Sequence, residues 1–228
     1  MMKKGLGIFL IILMSSVCVH LAVIGSANIT FQPLTWAQGL EMPIQKIAVM
    51  PFLKGKRPED MAEMVNCPLE RLGWNQSVLK EDAEKILTRM VQTAVERRFG
   101  EKVVLQAEVS AAYEKIFDSI SPKTPGLLAQ KLGQALGADA VFLGNVWRYR
   151  DRSDMAADAP RGAVVAFNLV LLKVETGQKV WKGTFDQTQR SLTDNILAKG
   201  SVKPGLKWLS ANELARLGVK EVFKKFPY

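Results

Sequence analysis

The chain is 228 residues long, 48% hydrophobic and 23% charged, enough for one domain with a sizeable core and an ordinary globular surface. Lysine and arginine outnumber aspartate and glutamate by nine; only Lys3 and Lys4 fall in the first forty residues, so seven of the surplus cations belong to the body. The one histidine, His20, lies in that opening stretch, and residues 41–228 therefore exclude a Ser-His-Asp or Cys-His centre and a histidine-ligated zinc.

Lys3 and Lys4 precede an apolar run from Gly5 to Ala27, the charge-then-hydrocarbon order of an export leader. Residues 1–40 read as a leader or membrane anchor, and 41–228 as a single exported domain, periplasmic or anchored facing the periplasm. Three fates of the leader compete: cleavage after Ala27 or Ala37, retention as a span, or lipidation at Cys18, which Ser15 and Ser16 suit and Val17 does not. Cys67 is the one thiol of the body, so an internal disulfide is excluded after cleavage, and it reads as a small buried apolar side chain.

Lys46 to Phe52 is a short β run stopped by Pro51, and a long connection with Met61, Met64, Cys67 and Trp74 follows to Lys80. Its apolar residues predict a short helix near 59–66, and connections of this length are often functional. Glu81–Phe99 is the clearest helix: Ala83, Ile86, Leu87, Met90, Val91, Ala94, Val95 and Phe99 form one stripe, and Gly100 ends it. Lys102–Gln106 reads as a second strand, which makes a parallel crossover unit. Val109, Ala112, Tyr113, Ile116 and Phe117 mark another helix. Thr124-Pro125 opens the next, with Leu128, Leu132, Ala135 and Leu136 on its buried face and Gly137 closing it.

A three-strand antiparallel meander then runs from Gly137 to Gln189, with Thr176-Gly177 as its tight turn. Period-two alternation puts Trp147 and Tyr149 on one face and Arg148, Arg150 and Arg152 on the other. It likewise sets Trp181 and Phe185 against Lys182, Thr184 and Asp186, and Trp181 and Phe185 are expected to meet Leu132 and Leu136 across a sheet–helix interface. Ser191 can cap a short helix through Leu197. Ser210-Ala211-Asn212-Glu213 is a capping box for a last helix with Leu214, Val222, Phe223 and Phe226 on its apolar side.

The combined expectation is an α/β fold, a central mixed sheet with an antiparallel meander toward its C-terminal side and helices on its faces. Gly137-Ala138-Asp139-Ala140-Val141, Gly144, Thr176-Gly177 with Trp181, and the opening IAVMPF resemble the CsgG-like superfamily from about Lys46 to Phe226. That group includes the curli-secretion lipoprotein, the LpoB-like outer-membrane activators of penicillin-binding proteins, and the amino-terminal domain of TolB. The resemblance implies a mixed sheet with helices on its faces and non-enzymatic work in the bacterial envelope.

No glycine-rich phosphate loop follows a strand and no GxSxG elbow occurs, so no cofactor or metal is expected. Asp151, Asp154 and Asp158 share one polar loop without calcium-loop spacing. That loop reads as solvated; the basic body and the available aspartates supply the competing reading, a carboxylate-based hydrolase of cell-wall glycan. The preferred reading is a binding or assembly module whose candidate partner contacts are Met61, Met64, Trp74, Arg148, Arg150 and Arg152. Its partner would be another envelope protein, with anionic lipid and peptidoglycan as further candidates, homo-oligomerisation compatible, and nucleic acid excluded by export.

Overall fold

The computed structural model describes residues 43–55, 65–66, 69, 79–121, 123–151, 162–189 and 209–227. Leu40–Tyr228 forms one compact unit. Five strands and four α-helices occur among these residues: β1 (Ile47–Val49), β2 (Leu53–Lys54), α1 (Ala83–Phe99), α2 (Gln106–Phe117), α3 (Pro125–Leu136), β3 (Ala140–Arg150), β4 (Val164–Lys173), β5 (Lys179–Thr188) and α4 (Ala211–Lys224). The sheet is mixed. β1 and β2 follow one another along one edge of β3, both parallel to it, and β3, β4 and β5 form the antiparallel meander. The α/β architecture expected from the sequence is the one observed.

Helices cover both faces. On the first face α1 and α4 bury Leu87, Val91 and Val95 and Leu214, Val219, Val222 and Phe223 against Phe142, Phe167, Leu171 and Phe185. On the second, α3 and Val109 of α2 pack on Val141, Leu143, Val170 and Leu172 through Leu128, Ala129 and Leu132. Trp181 and Phe185 therefore belong to the first face and Leu132 to the second, so the expected meeting of these groups does not occur. The register explains it: Trp181 lies opposite Leu171 and Phe185 opposite Phe167, both odd-numbered positions of β4, whereas α3 covers the even-numbered ones. Ala135 is exposed and Leu136 only half-buried, so the buried stripe of α3 runs through Ala129 and Gly133 instead.

Two further expectations are corrected. Lys102–Gln106 is not a strand: a single 3-10 turn spans Gly100–Lys102, Val103 makes one parallel bridge to Ile47, and α2 already begins at Gln106. The crossover direction is right, but only one residue is left for pairing. In β3 a bulge between Val146 and Arg148 breaks the alternation. Val146 and Tyr149, three residues apart, consequently share the first face; Arg148 and Arg150 lie on the other, and Trp147 is the extra residue.

The residues that carry the family resemblance act as joints of the fold. Gly137 takes the left-handed conformation, φ 63°, that ends α3. The carboxylate of Asp139 then accepts from the backbone N–H groups of Gln45 and Lys46 at 2.7 and 2.9 Å, locking the start of β1 to the start of β3. At Gly144 a methyl would sit 2.3 Å from the ring of Phe52, so the glycine admits the phenylalanine of IAVMPF into the core. Gly177, φ 68°, turns β4 into β5.

Candidate functional site

α1 and α4 run side by side in the same direction and are tied at both ends. At their C-terminal end Arg98 of α1 donates to the carbonyls of Phe223 and Phe226, at 3.3 and 3.0 Å, and lies over the Phe226 ring. At the other end Asp151, just past β3, accepts from the N–H of Ala211 at 2.6 Å and approaches Lys80 at 3.8 Å. The Tyr149 hydroxyl donates to Asn212 at 2.5 Å. Burial, then the charge of Asp151, pushes the Tyr149 phenol well above its ordinary range, with Arg216 pulling the other way. The capping box is complete: Glu213 N–H donates to Ser210 Oγ at 3.2 Å and Ser210 N–H to the Glu213 carboxylate at 2.8 Å.

Between these ties lies a groove of about 1030 Å³. From α1 it is lined by the rows Arg89–Thr93–Arg97 and Ile86–Met90–Ala94–Arg98, and from α4 by Asn212–Arg216–Lys220–Lys224 with Val219 and Phe223. Each row steps by four residues, the spacing that stacks side chains along one helix face. The floor is hydrocarbon and the rims carry six cations; no carboxylate is in the lining.

Part of this charge serves the helices themselves. Arg97, Arg98 and Lys224 stand in last turns, where positive charge complements the helix dipole, and Lys224 pairs with Glu221 at 2.5 Å. Arg89, Arg216 and Lys220 have no such reason. They stand away from the last turns, and Arg216, Lys220 and Lys224 form a row of like charges one turn apart, an arrangement that costs a few tenths of a kcal/mol per pair. Among the described residues none of Arg89, Arg97, Arg216 and Lys220 has a carboxylate partner.

Of the contacts expected from the sequence, the two that are described, Arg148 and Arg150, lie elsewhere. Arg148 forms an ion pair with Asp186, reaching across Ala166, and donates to Thr188 Oγ1 at 3.3 Å. Arg150 is half-buried on the same sheet face, one row nearer the end of β3. Neither lines the groove. Met61, Met64, Trp74, Arg152, Cys18, Cys67, Asp154, Asp158 and the 191–197 helix lie outside the described residues, as does most of the 59–66 helix. Sequence reasoning missed the groove because its walls are far apart in the chain; the i+4 rows 89–93–97 and 216–220–224 were the available signal. Among the described residues no group of three His, Cys, Asp or Glu side chains converges as metal ligands would, and no helix is long and apolar enough to cross a membrane.

No protein-family model and no curated protein matches the sequence. Solved structures similar to the chain include a PelC dodecamer from Paraburkholderia phytofirmans, at 15% identity over 78% of this chain and 84% of that one, TM-score 0.41. Others are the LpoB C-terminal domain from Salmonella enterica, 15% identical over 67% and 89%, TM-score 0.40, and a lipoprotein from Neisseria meningitidis, 17% identical over 80% and 99%, TM-score 0.39. LpoB names the activator group of the sequence resemblance; the curli-secretion and TolB branches stay expectations. At these identities and scores the likeness carries no inference about what the chain binds.

Proposed function

We propose that the chain is an exported, non-enzymatic module of the bacterial envelope that works by holding another protein in the groove between α1 and α4. The carrying observation is the groove's lining: six cations around an apolar floor, with Arg89, Arg216 and Lys220 outside the last helical turns and without a carboxylate partner among the described residues. Such a surface attracts and orients a partner, and charge complementarity of this kind sets association rate and specificity. The leader supports delivery to the envelope. Against the hydrolase reading stands the lining, which offers no carboxylate pair to flank a glycosidic bond. Asp151, the one aspartate of its loop that is described, is occupied as an acceptor at the start of α4.

The test is a photo-crosslinking residue at Thr93, inside the groove, with Glu114 on the remote α2 as control, in intact cells. A discrete protein adduct at Thr93 and none at Glu114 is expected. Release of soluble fragments from purified peptidoglycan that stops on Asp151→Asn, with no adduct at Thr93, would replace this reading by the hydrolase.

A further inference from the structure

Building on that binding reading, we infer that the groove takes an acidic, amphipathic α-helix of the partner, its apolar stripe on the hydrocarbon floor and its carboxylates against the two cation rows. Three features of the groove select this occupant. Its sign comes first: the lining holds cations on both rims and no acid, so a basic or neutral segment would leave the rims unpaired while a negative one satisfies them. Among the described residues no carboxylate pairs with Arg89, Arg216 or Lys220, so these cations are open to the acids of a partner.

Length and wall chemistry give the form. Ile86 to Arg98 on α1 and Asn212 to Lys224 on α4 each cover about 18 Å, the length of roughly twelve helical residues. Both walls are helices, whose interior backbone groups already bond within their own ladders, and no sheet edge borders the groove. An extended segment laid between them would find no backbone partners. A helix brings its own hydrogen bonds satisfied and can place apolar residues at three- and four-residue steps on Ile86, Met90, Ala94, Val219 and Phe223.

Alternative anions fit the shape less well. A small anion would need converging cations, but these are spread along both rims with hydrocarbon between them. A lipid surface is broad and meets a protruding basic face, whereas here the cations flank a concavity. The fold also holds the site ready: the Arg98 bonds at one end and the Asp151 and Tyr149 bonds at the other fix the separation of the walls before anything binds.

The experiment identifies, by mass spectrometry, the partner segment crosslinked to Thr93 of the full chain in cells. That segment is then synthesised and titrated against the full-length protein. The expected segment carries net negative charge, has apolar residues at helical spacing and gains helical circular dichroism on binding. Its affinity should fall on the order of tenfold or more in the Arg89→Glu/Arg216→Glu/Lys220→Glu variant and stay unchanged in Lys131→Glu, an exposed position on α3. Arg89→Gln/Lys220→Gln, which removes two charges without reversing them, should give a smaller loss of the same kind. Vesicles of phosphatidylglycerol and free polyglutamate are titrated in parallel and should bind more weakly than the segment. A basic segment, an acidic one that binds without gaining helix, or vesicles that bind as tightly with the same losses would overturn this inference and leave the binding reading standing. No adduct at Thr93 would overturn both.

Discussion

The two faces of the sheet are built from different materials. The first, under α1 and α4, is aromatic: Phe142 meets the rings of Trp181, Phe223 and Phe226 at centroid distances of 6.2, 5.7 and 5.5 Å, and Phe167 meets Phe52 and Phe185. The second, under α2 and α3, is aliphatic in its buried part, and α2 contributes a single fully buried residue, Val109. The face that supports the cationic groove is thus the one with large interlocked rings, and its helices are also tied end to end by Arg98, Asp151 and Tyr149. Rigid helix placement and an uncompensated surface charge occur together, as a preformed binding surface requires.

Truncating one residue on each face measures that contrast. Phe142→Ala removes a fully buried ring and three ring–ring contacts, and should cost about 5 kcal/mol, the upper end for such changes. Leu132→Ala, equally buried among aliphatic neighbours, should cost about 3 kcal/mol. Denaturant midpoints of both variants give the comparison; equal losses would mean that the ring cluster adds nothing beyond its buried area.

Close helix–sheet approaches should reverse the order. Each face has a helix glycine pressed against the sheet. A methyl at Gly133 of α3 would lie 2.2 Å from Val174 and 2.9 Å from Val141, both stiff branched side chains. At Gly218 of α4 it would meet the Phe185 ring at 2.5 Å, and Phe185 stands on β5, the last strand of the sheet. Although alanine favours a helix by up to about 1 kcal/mol, Gly133→Ala should destabilise by about 3 kcal/mol and Gly218→Ala by about 1 kcal/mol. Thermal melts of the pair would show whether the aromatic face is the more accommodating one.

The architecture was legible wherever local chemistry acts alone. The apolar stripe of α1, the Thr124-Pro125 start of α3, the Ser210–Glu213 box and the Thr176-Gly177 turn are local signals, and each appears as expected. Which face each strand residue serves was less legible. A one-residue bulge at Val146/Arg148 re-phases β3, and nothing in the sequence says which side α3 covers. The short Lys102–Gln106 segment has β-branched Val103 and Val104 but is taken over by α2 after one bridge. The surplus of seven cations was legible; its gathering into one groove was not, since Arg98 meets Phe223 across 125 positions of sequence.

Alkaline pH separates the faces by their tyrosines. Burial pushes the Tyr113 phenol, on α2, up to about 12, and Tyr149 on the opposite side is raised by burial and Asp151. An unfolded tyrosine loses its proton near pH 10, so above that pH the unfolded chain sheds protons that the folded one keeps. The stability owed to these two groups is therefore complete below about pH 10 and declines as pH rises through their folded values. Tyrosinate absorbance should show Tyr113 ionising before Tyr149, and Tyr149→Phe should shallow the alkaline loss of the denaturant midpoint.

The smallest expected effect is on the groove itself, and its sign is the informative part. Lys54 is a cation the fold uses: it lies 3.2 Å from Glu84, and its ammonium donates to the carbonyl of Glu81 at 2.7 Å, so Lys54→Met should cost about 1 kcal/mol or somewhat more. Lys220 has the opposite surroundings, exposed and flanked one turn away on each side by Arg216 and Lys224. Lys220→Glu places a carboxylate between two cations, and Arg89→Glu places one a turn from Lys85. Each change should leave stability within about 0.5 kcal/mol and on the stabilising side, because it replaces like-charge neighbours by opposite ones. The gain should be largest at low salt and vanish as the screening length shrinks. If instead Lys220→Glu destabilises the protein as Lys54→Met does, the cation row belongs to the fold and its charge is not kept for a partner.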